Sequence, residues 1–97
     1  MTEKTLLNRL EEVAEELRGL AIKNIPAVRE VDYTDVCDIS KLLKHPIDNS
    51  IASIALNYAR SLQGRANTDS LYKRERYSRG LLLEAVYIIQ EICQPPI

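Results

Sequence analysis

Arg60, Arg65, Lys73, Arg74, Arg76 and Arg79 fall within residues 60–79, a stretch whose only acids are Asp69 and Glu75. That block carries +4 in a chain whose net charge is −1. Guanidinium forks match phosphate oxygens through paired charged hydrogen bonds. Tyr72 and Tyr77 are interleaved with them, and tyrosine faces are platforms on which unpaired bases stack. The chemistry these types could do together is contact with a nucleic-acid backbone, which depends on charge and not on base sequence. An anion at the start of the helix that bears them would also relieve the cost of cations at a positive dipole end and use its free N–H groups. Two other readings stand beside it. The same arginines could meet an acidic protein surface, including the acidic first helix of a neighbouring copy, or they could form a solvated face.

Catalytic constellations are missing. His45 is the single histidine, it precedes Pro46, and no serine or cysteine nearby in sequence completes a nucleophile–base pair. It reads as an exposed or capping side chain. The residues before it, Asp38, Ile39, Ser40 and Lys41, lack the arginine of a helical ribonuclease that carries Arg four to six residues before its His. Glu11, Glu12, Glu15 and Glu16 lie on one helix, where Glu12 and Glu16 could share a cation. A di-metal bundle needs inward Glu and Glu-x-x-His contributions from several helices, so this reads as a solvated acidic face. Three glycines are too few for a phosphate loop, and one His with two Cys is too few for a closed zinc site. The expectation is no enzyme, no metal, no cofactor and no small-molecule substrate.

The elements that must position the basic block are helices, and 97 residues allow one domain, 1–97. Leu6, Leu10, Val13, Leu17 and Leu20 repeat at fours and threes, a one-sided stripe for a first helix capped by Thr2 and ending near Ile22. Pro26 interrupts a connection over 23–31 that is apolar enough to pack. A second helix is expected over 33–44, capped by Asp32, with Val36, Ile39, Leu42 and Leu43 inward. A third begins at Pro46 and runs to about Gln63, with Gly64 as its stop. Its inner face holds Ile47, Ile51, Ile54, Ala55, Tyr58 and Leu62. The fourth, over 70–93, joins two unlike halves. Around Lys73, Arg74, Arg76 and Arg79 the charges point in all directions, at about 180°, 280°, 120° and 60° on a helical wheel. From Leu81 to Cys93 the helix is apolar nearly all round, with Glu84 and Glu91 as a narrow wet strip. Such a helix sits at the centre of a bundle or against a partner. The fold predicted is an all-α bundle of four main helices with the C-terminal helix central. The girdle of Leu81, Leu82, Leu83, Val86, Tyr87, Ile88, Ile89 and Ile92 is wide for three short helices to cover. Self-association or a partner subunit is therefore expected.

No run of about 18 apolar residues exists to span a membrane, and Met1-Thr2-Glu3-Lys4 lacks the layout of a signal peptide. Cys37 and Cys93 have no Cys-x-x-Cys spacing and read as free thiols of a reducing cytoplasm. Charge is segregated along the chain: residues 1–40 carry −4 against the +4 of residues 60–79.

A short all-helical chain in which Leu43-Lys44-His45-Pro46-Ile47-Asp48 opens an apolar helix, followed by Arg60, Arg65 and the run from Lys73 to Arg79, resembles the small subunits of Cascade-type CRISPR effector complexes. The resemblance covers about half the chain. It implies a non-catalytic subunit packed in several copies along a complex, helping to hold a strand of RNA or DNA. The alternative is a protein–protein adaptor, an antitoxin-like inhibitor or a structural subunit that sets the same basic face on an acidic partner. Circular dichroism dominated by helix, with a melting temperature that chelator leaves in place, is the outcome these readings predict. Substantial strand or a chelator-dependent melt would reject them.

Overall fold

The fours-and-threes stripes become four helices in the computed structural model, which describes residues 3–25, 28–68 and 75–94. They are α1 (Glu3–Ile22), α2 (Glu30–Leu42), α3 (Asn49–Thr68) and α4 (Arg76–Cys93). Each packs chiefly on two neighbours: α1 on α2 and α4, and α3 on α2 and α4. Polar contacts give the directions. Arg9 meets Glu84 while Glu16 meets Tyr77, so α1 and α4 run antiparallel. Asn67 near the end of α3 meets Arg79 near the start of α4. Asp32 at the start of α2 meets Arg65 late in α3. Lys44, just beyond α2, reaches back to Glu11 of α1. The result is an up-down-up-down ring with one core, and α4 lies between α3 and α1 with half of its residues buried.

Leu10, Val13 and Leu17 of α1, Val36 and Ile39 of α2, Leu62 of α3, and Leu82 and Ile89 of α4 fill that core. The core face of α3 is thin: Ala55, Ala59 and Ala66 are buried. Small residues let α4 approach closely, and its large aliphatics occupy the space. This corrects the expectation of an uncovered girdle. Leu81, Leu82, Val86, Ile88, Ile89 and Ile92 are all buried within the chain and Leu83 is half-buried, leaving Tyr87 as the exposed member. At about 1.5 Å per residue, α1 and α3 are each as long as α4 and cover it end to end.

The helix ends differ from the sequence reading for local reasons. Helix α1 does end at Ile22. Asn24 takes a left-handed φ of 59°, and the Asn24 and Ile25 N–H groups donate to the Ala21 and Leu20 carbonyls. That closing motif ordinarily uses glycine at the left-handed position, and asparagine tolerates it. Helix α2 begins at Glu30, three residues earlier than expected. Asp32 acts from inside the first turn, accepting from the Arg29 N–H at 3.0 Å. Helix α3 begins at Asn49, not Pro46, because Asp48 caps it by accepting from the Ile51 N–H at 2.9 Å. It also continues through Gly64 to Thr68. The expected helical start over 70–75 and the Thr2 cap lie mostly outside the described residues, and Glu75 stands just before α4 as its N-cap.

Past Gly64, Ala66 is buried and Arg65 reaches α2. The Arg65 Nε donates to Asp32 Oδ1 at 3.0 Å and its Nη2 to Asp35 Oδ2 at 2.7 Å. The Asp32 side chain is fully buried. Removing one partner of a buried pair leaves an uncompensated charge and costs about 3–5 kcal/mol. Arg65→Ala should therefore lower the melting temperature by more than about 10 °C, at about 4–8 °C per kcal/mol for a domain of this size. Arg60→Ala, on the exposed side of the same helix, should leave it nearly unchanged. Equal melting of both variants would show that the pair does not hold α2 to α3.

Candidate nucleic-acid interface

The basic block divides in space. Arg65 is turned toward α2 and held by two carboxylates, so its guanidinium faces its own chain and not a phosphate. Arg60, Arg76 and Arg79 are exposed. Among the described residues, Arg60 and Arg76 form no ion pair. Arg79 is steered by a neutral group, its Nη2 donating to Asn67 Oδ1 at 3.0 Å. Tyr72, Lys73 and Arg74 lie outside the described residues.

Arg60 precedes Asn67 by two helical turns, about 10 Å along α3. Arg60 and the Arg79–Asn67 contact therefore occupy the same outer edge of α3, along the seam with α4. The start of α4 adds Arg76 at the same end of the bundle. No carboxylate of α3 interrupts this edge, because α3 contains none.

Tyr77 is 55% exposed, with its hydroxyl donating to Glu16 Oε2 at 3.2 Å. The negative charge of Glu16 first, then desolvation, raises the phenol above its ordinary value and keeps it protonated. The ring face is left for stacking, while the hydroxyl is tied to α1.

The acidic face of α1 is largely neutralised within the chain. Glu12 and Glu16 do share a cation, and it is the Arg9 guanidinium, at 3.2 and 3.5 Å. Glu15 pairs with Arg18 at 3.7 Å, and Glu11 with Lys44 at 3.0 Å. The Arg9 fork is aimed mainly at α4, with Nε donating to Glu84 Oε2 at 2.6 Å and Nη2 to Oε1 at 2.7 Å. The four glutamates over residues 11–16 were visible in sequence. Their saturation by Arg9 was not, because the fork depends on how α1 sits against α4.

No group of three or more His, Cys, Asp or Glu placed to hold a metal occurs among the described residues. No helix there is long and apolar enough to cross a membrane. His45 is exposed. Cys37 and Cys93 are free thiols, and burial in the first place pushes the Cys37 thiol up, away from the reactive thiolate. A cleft of about 220 Å³ at the far end of the bundle is lined by Lys4, Leu7, Leu43, Lys44, Ile47 and Ile92 and holds no acid, histidine or thiol that could act as a base.

No family model, curated protein or solved structure matches this chain. The geometry is therefore the ground on which function is argued.

The Glu84 carboxyl is held below its ordinary value of 4.5, first by the hydrogen bonds from Arg9, against desolvation and with added attraction from the same guanidinium. A depressed folded value contributes stability that is present above the unfolded value and is lost as pH falls through the folded one. Both groups are about a third exposed, so the contribution is about 1 kcal/mol, the upper end for such a pair. Glu84→Gln should be less stable than the parent chain at neutral pH. The gap should close on acidification below pH 4.5. Chemical denaturation across that range reads it, and a gap independent of pH would refute the assignment.

Proposed function

We propose that the chain is a non-catalytic helical subunit of a nucleoprotein assembly, and that the α3–α4 seam contacts nucleic-acid backbone. The observation that carries this reading is the division among the arginines. Arg9, Arg18 and Arg65 are neutralised by carboxylates of the chain, whereas Arg60, midway along α3, and Arg76 and Arg79, at the start of α4, face solvent with no carboxylate partner among the described residues. Lys73 and Arg74 immediately precede that group in sequence. Tyr77, and Tyr72 beside Lys73, supply the stacking faces. The resemblance to small subunits of Cascade-type CRISPR effector complexes gives the kind of assembly in which such a subunit would serve antiviral defence, in the cytoplasm. The adaptor reading uses the same arginines on an acidic protein.

Salt dependence separates the two. Each neutralised phosphate contributes a log–log slope of about −0.7 on single strands and about −0.9 on duplex. Arg60→Ala/Arg79→Ala should flatten the slope by about 1.4 to 1.8 and weaken all sequences alike. Lys73→Ala/Arg74→Ala/Arg76→Ala should flatten it by about two to three. Both variants should remain helical, since alanine is the better helix former. Oligonucleotide affinity that neither variant changes would overturn the proposal. No affinity in the assembled complex, together with loss of an acidic protein from the variants, would replace it with the adaptor.

A further inference from the structure

The outer face of α4 carries a second pattern, which shares Arg76 with the basic group and otherwise lies apart from the seam. Arg76, Gly80, Leu83, Tyr87 and Glu91 follow one another at spacings of four, three, four and four, and they lie within about 80° on the helix. All are exposed except Leu83, which is half-buried. Tyr87 is 53% exposed, a large ring left in water on a helix whose other large apolar residues, Tyr77 and Leu83 apart, are buried. Nothing stands within 4 Å of where a side chain on Gly80 would begin.

Reversed end to end, this stripe matches itself. With a two-fold axis between Leu83 and Glu84, Arg76 falls opposite Glu91, and Gly80 falls opposite Tyr87. We propose that a second copy of this chain docks antiparallel along α4, forming an isologous dimer in which each surface meets its own kind.

Four features fit that occupant. The two ends of the stripe have opposite charge, so reversal pairs a cation with an anion at both ends. The ring of Tyr87 finds the open space over Gly80. Leu83 meets its own copy beside the axis, where a half-buried leucine becomes buried. Glu84, also near the axis, is already held in the Arg9 fork and does not repel its copy. Ile22, Val31 and Ile54 are exposed as well, but none belongs to a stripe that complements itself on reversal. Contact through one helix face falls short of the about 800 Å² per partner of a standard interface, which places the dimer in the weak class.

The dimer does not rest on the nucleic-acid reading and is measured without nucleic acid. Sedimentation equilibrium of the full chain from about 10 μM to about 1 mM covers the weak range. It should show a monomer–dimer equilibrium. Arg76→Glu and Glu91→Arg should each weaken it by about tenfold or more, since each sets like charges together at both ends. The combined Arg76→Glu/Glu91→Arg chain should regain it. An equimolar mixture of the two single variants should associate where neither does alone, because reversal then pairs opposite charges throughout. The acid enters the first turn of α4 and the base its last turns, both favourable to the helix dipole, so folding is retained and circular dichroism verifies it. A chain monomeric to about 1 mM would overturn the proposal. So would single variants that associate as the parent does, or folded single variants that fail to associate when mixed.

Discussion

A carboxylate withdrawn from water must be answered by donors, and Asp32 is the one such side chain among the described residues. The Arg29 N–H and the Arg65 guanidinium answer it, each at 3.0 Å. Both contacts carry structural consequences. The first fixes where α2 begins. The second holds the last turns of α3 against the first turn of α2, so α3 continues as helix past a glycine that would ordinarily end one. Extending α3 brings Asn67 alongside Arg79 and sets the seam on which the exposed arginines stand. It also removes Arg65 from that surface. A basic residue that looked like part of a binding block is the anchor that builds the block's platform.

The α1–α4 contact has the same logic with less burial. Arg9 gathers Glu12, Glu16 and Glu84, and Tyr77 closes on Glu16. Two polar ties thus hold opposite seams of the ring, α2–α3 and α1–α4. The α3–α4 seam rests chiefly on the apolar core, where Leu62 and three alanines of α3 are buried with the aliphatics of α4, and its polar tie is the neutral one between Arg79 and Asn67. Helix α3 itself brings no carboxylate to that seam. An acid there would have neutralised Arg60 or Arg79 as Glu84 neutralises Arg9.

The helices were legible because apolar residues recur at threes and fours over long enough runs, most clearly from Leu6 to Leu20 and from Leu81 to Ile92. Their ends were less so, because one side-chain type caps from different positions. Asp48 acts from just outside α3, whereas Asp32 acts from within α2, and residue type alone does not tell them apart. Gly64 reads as a stop until the contact of Arg65 with α2 is known. The candidate site was half legible. Composition marks the basic block, but which arginines remain free is a long-range property: Asp32 and Arg65 are 33 residues apart, and Arg9 and Glu84 are 75 apart. The apolar girdle was misread as uncovered for the converse reason. Its width is local, while the length and thinness of the helices that cover it are properties of the whole bundle.

The two surfaces of α4 bear on each other through symmetry. A two-fold axis perpendicular to antiparallel helices reverses direction along the helix but keeps its flanks on the same side. On α4, Arg79 lies toward α3 and Glu84 toward α1, on opposite flanks of the stripe centred on Leu83 and Tyr87. In a dimer built on that stripe, both α3–α4 seams therefore emerge on one side and both acidic α1 faces on the other. The two Arg79 residues would stand nine helical positions apart, about 13 Å along the helix direction. With Arg76 turned to the partner's Glu91, Arg60 and Arg79 of both copies share one longer basic surface with no acidic helix between them. Contacts to a polyanion accumulate with each phosphate neutralised. Weak pairing through Tyr87 would then strengthen binding at the seam without adding a residue to it, and a bound strand would in turn favour the pair.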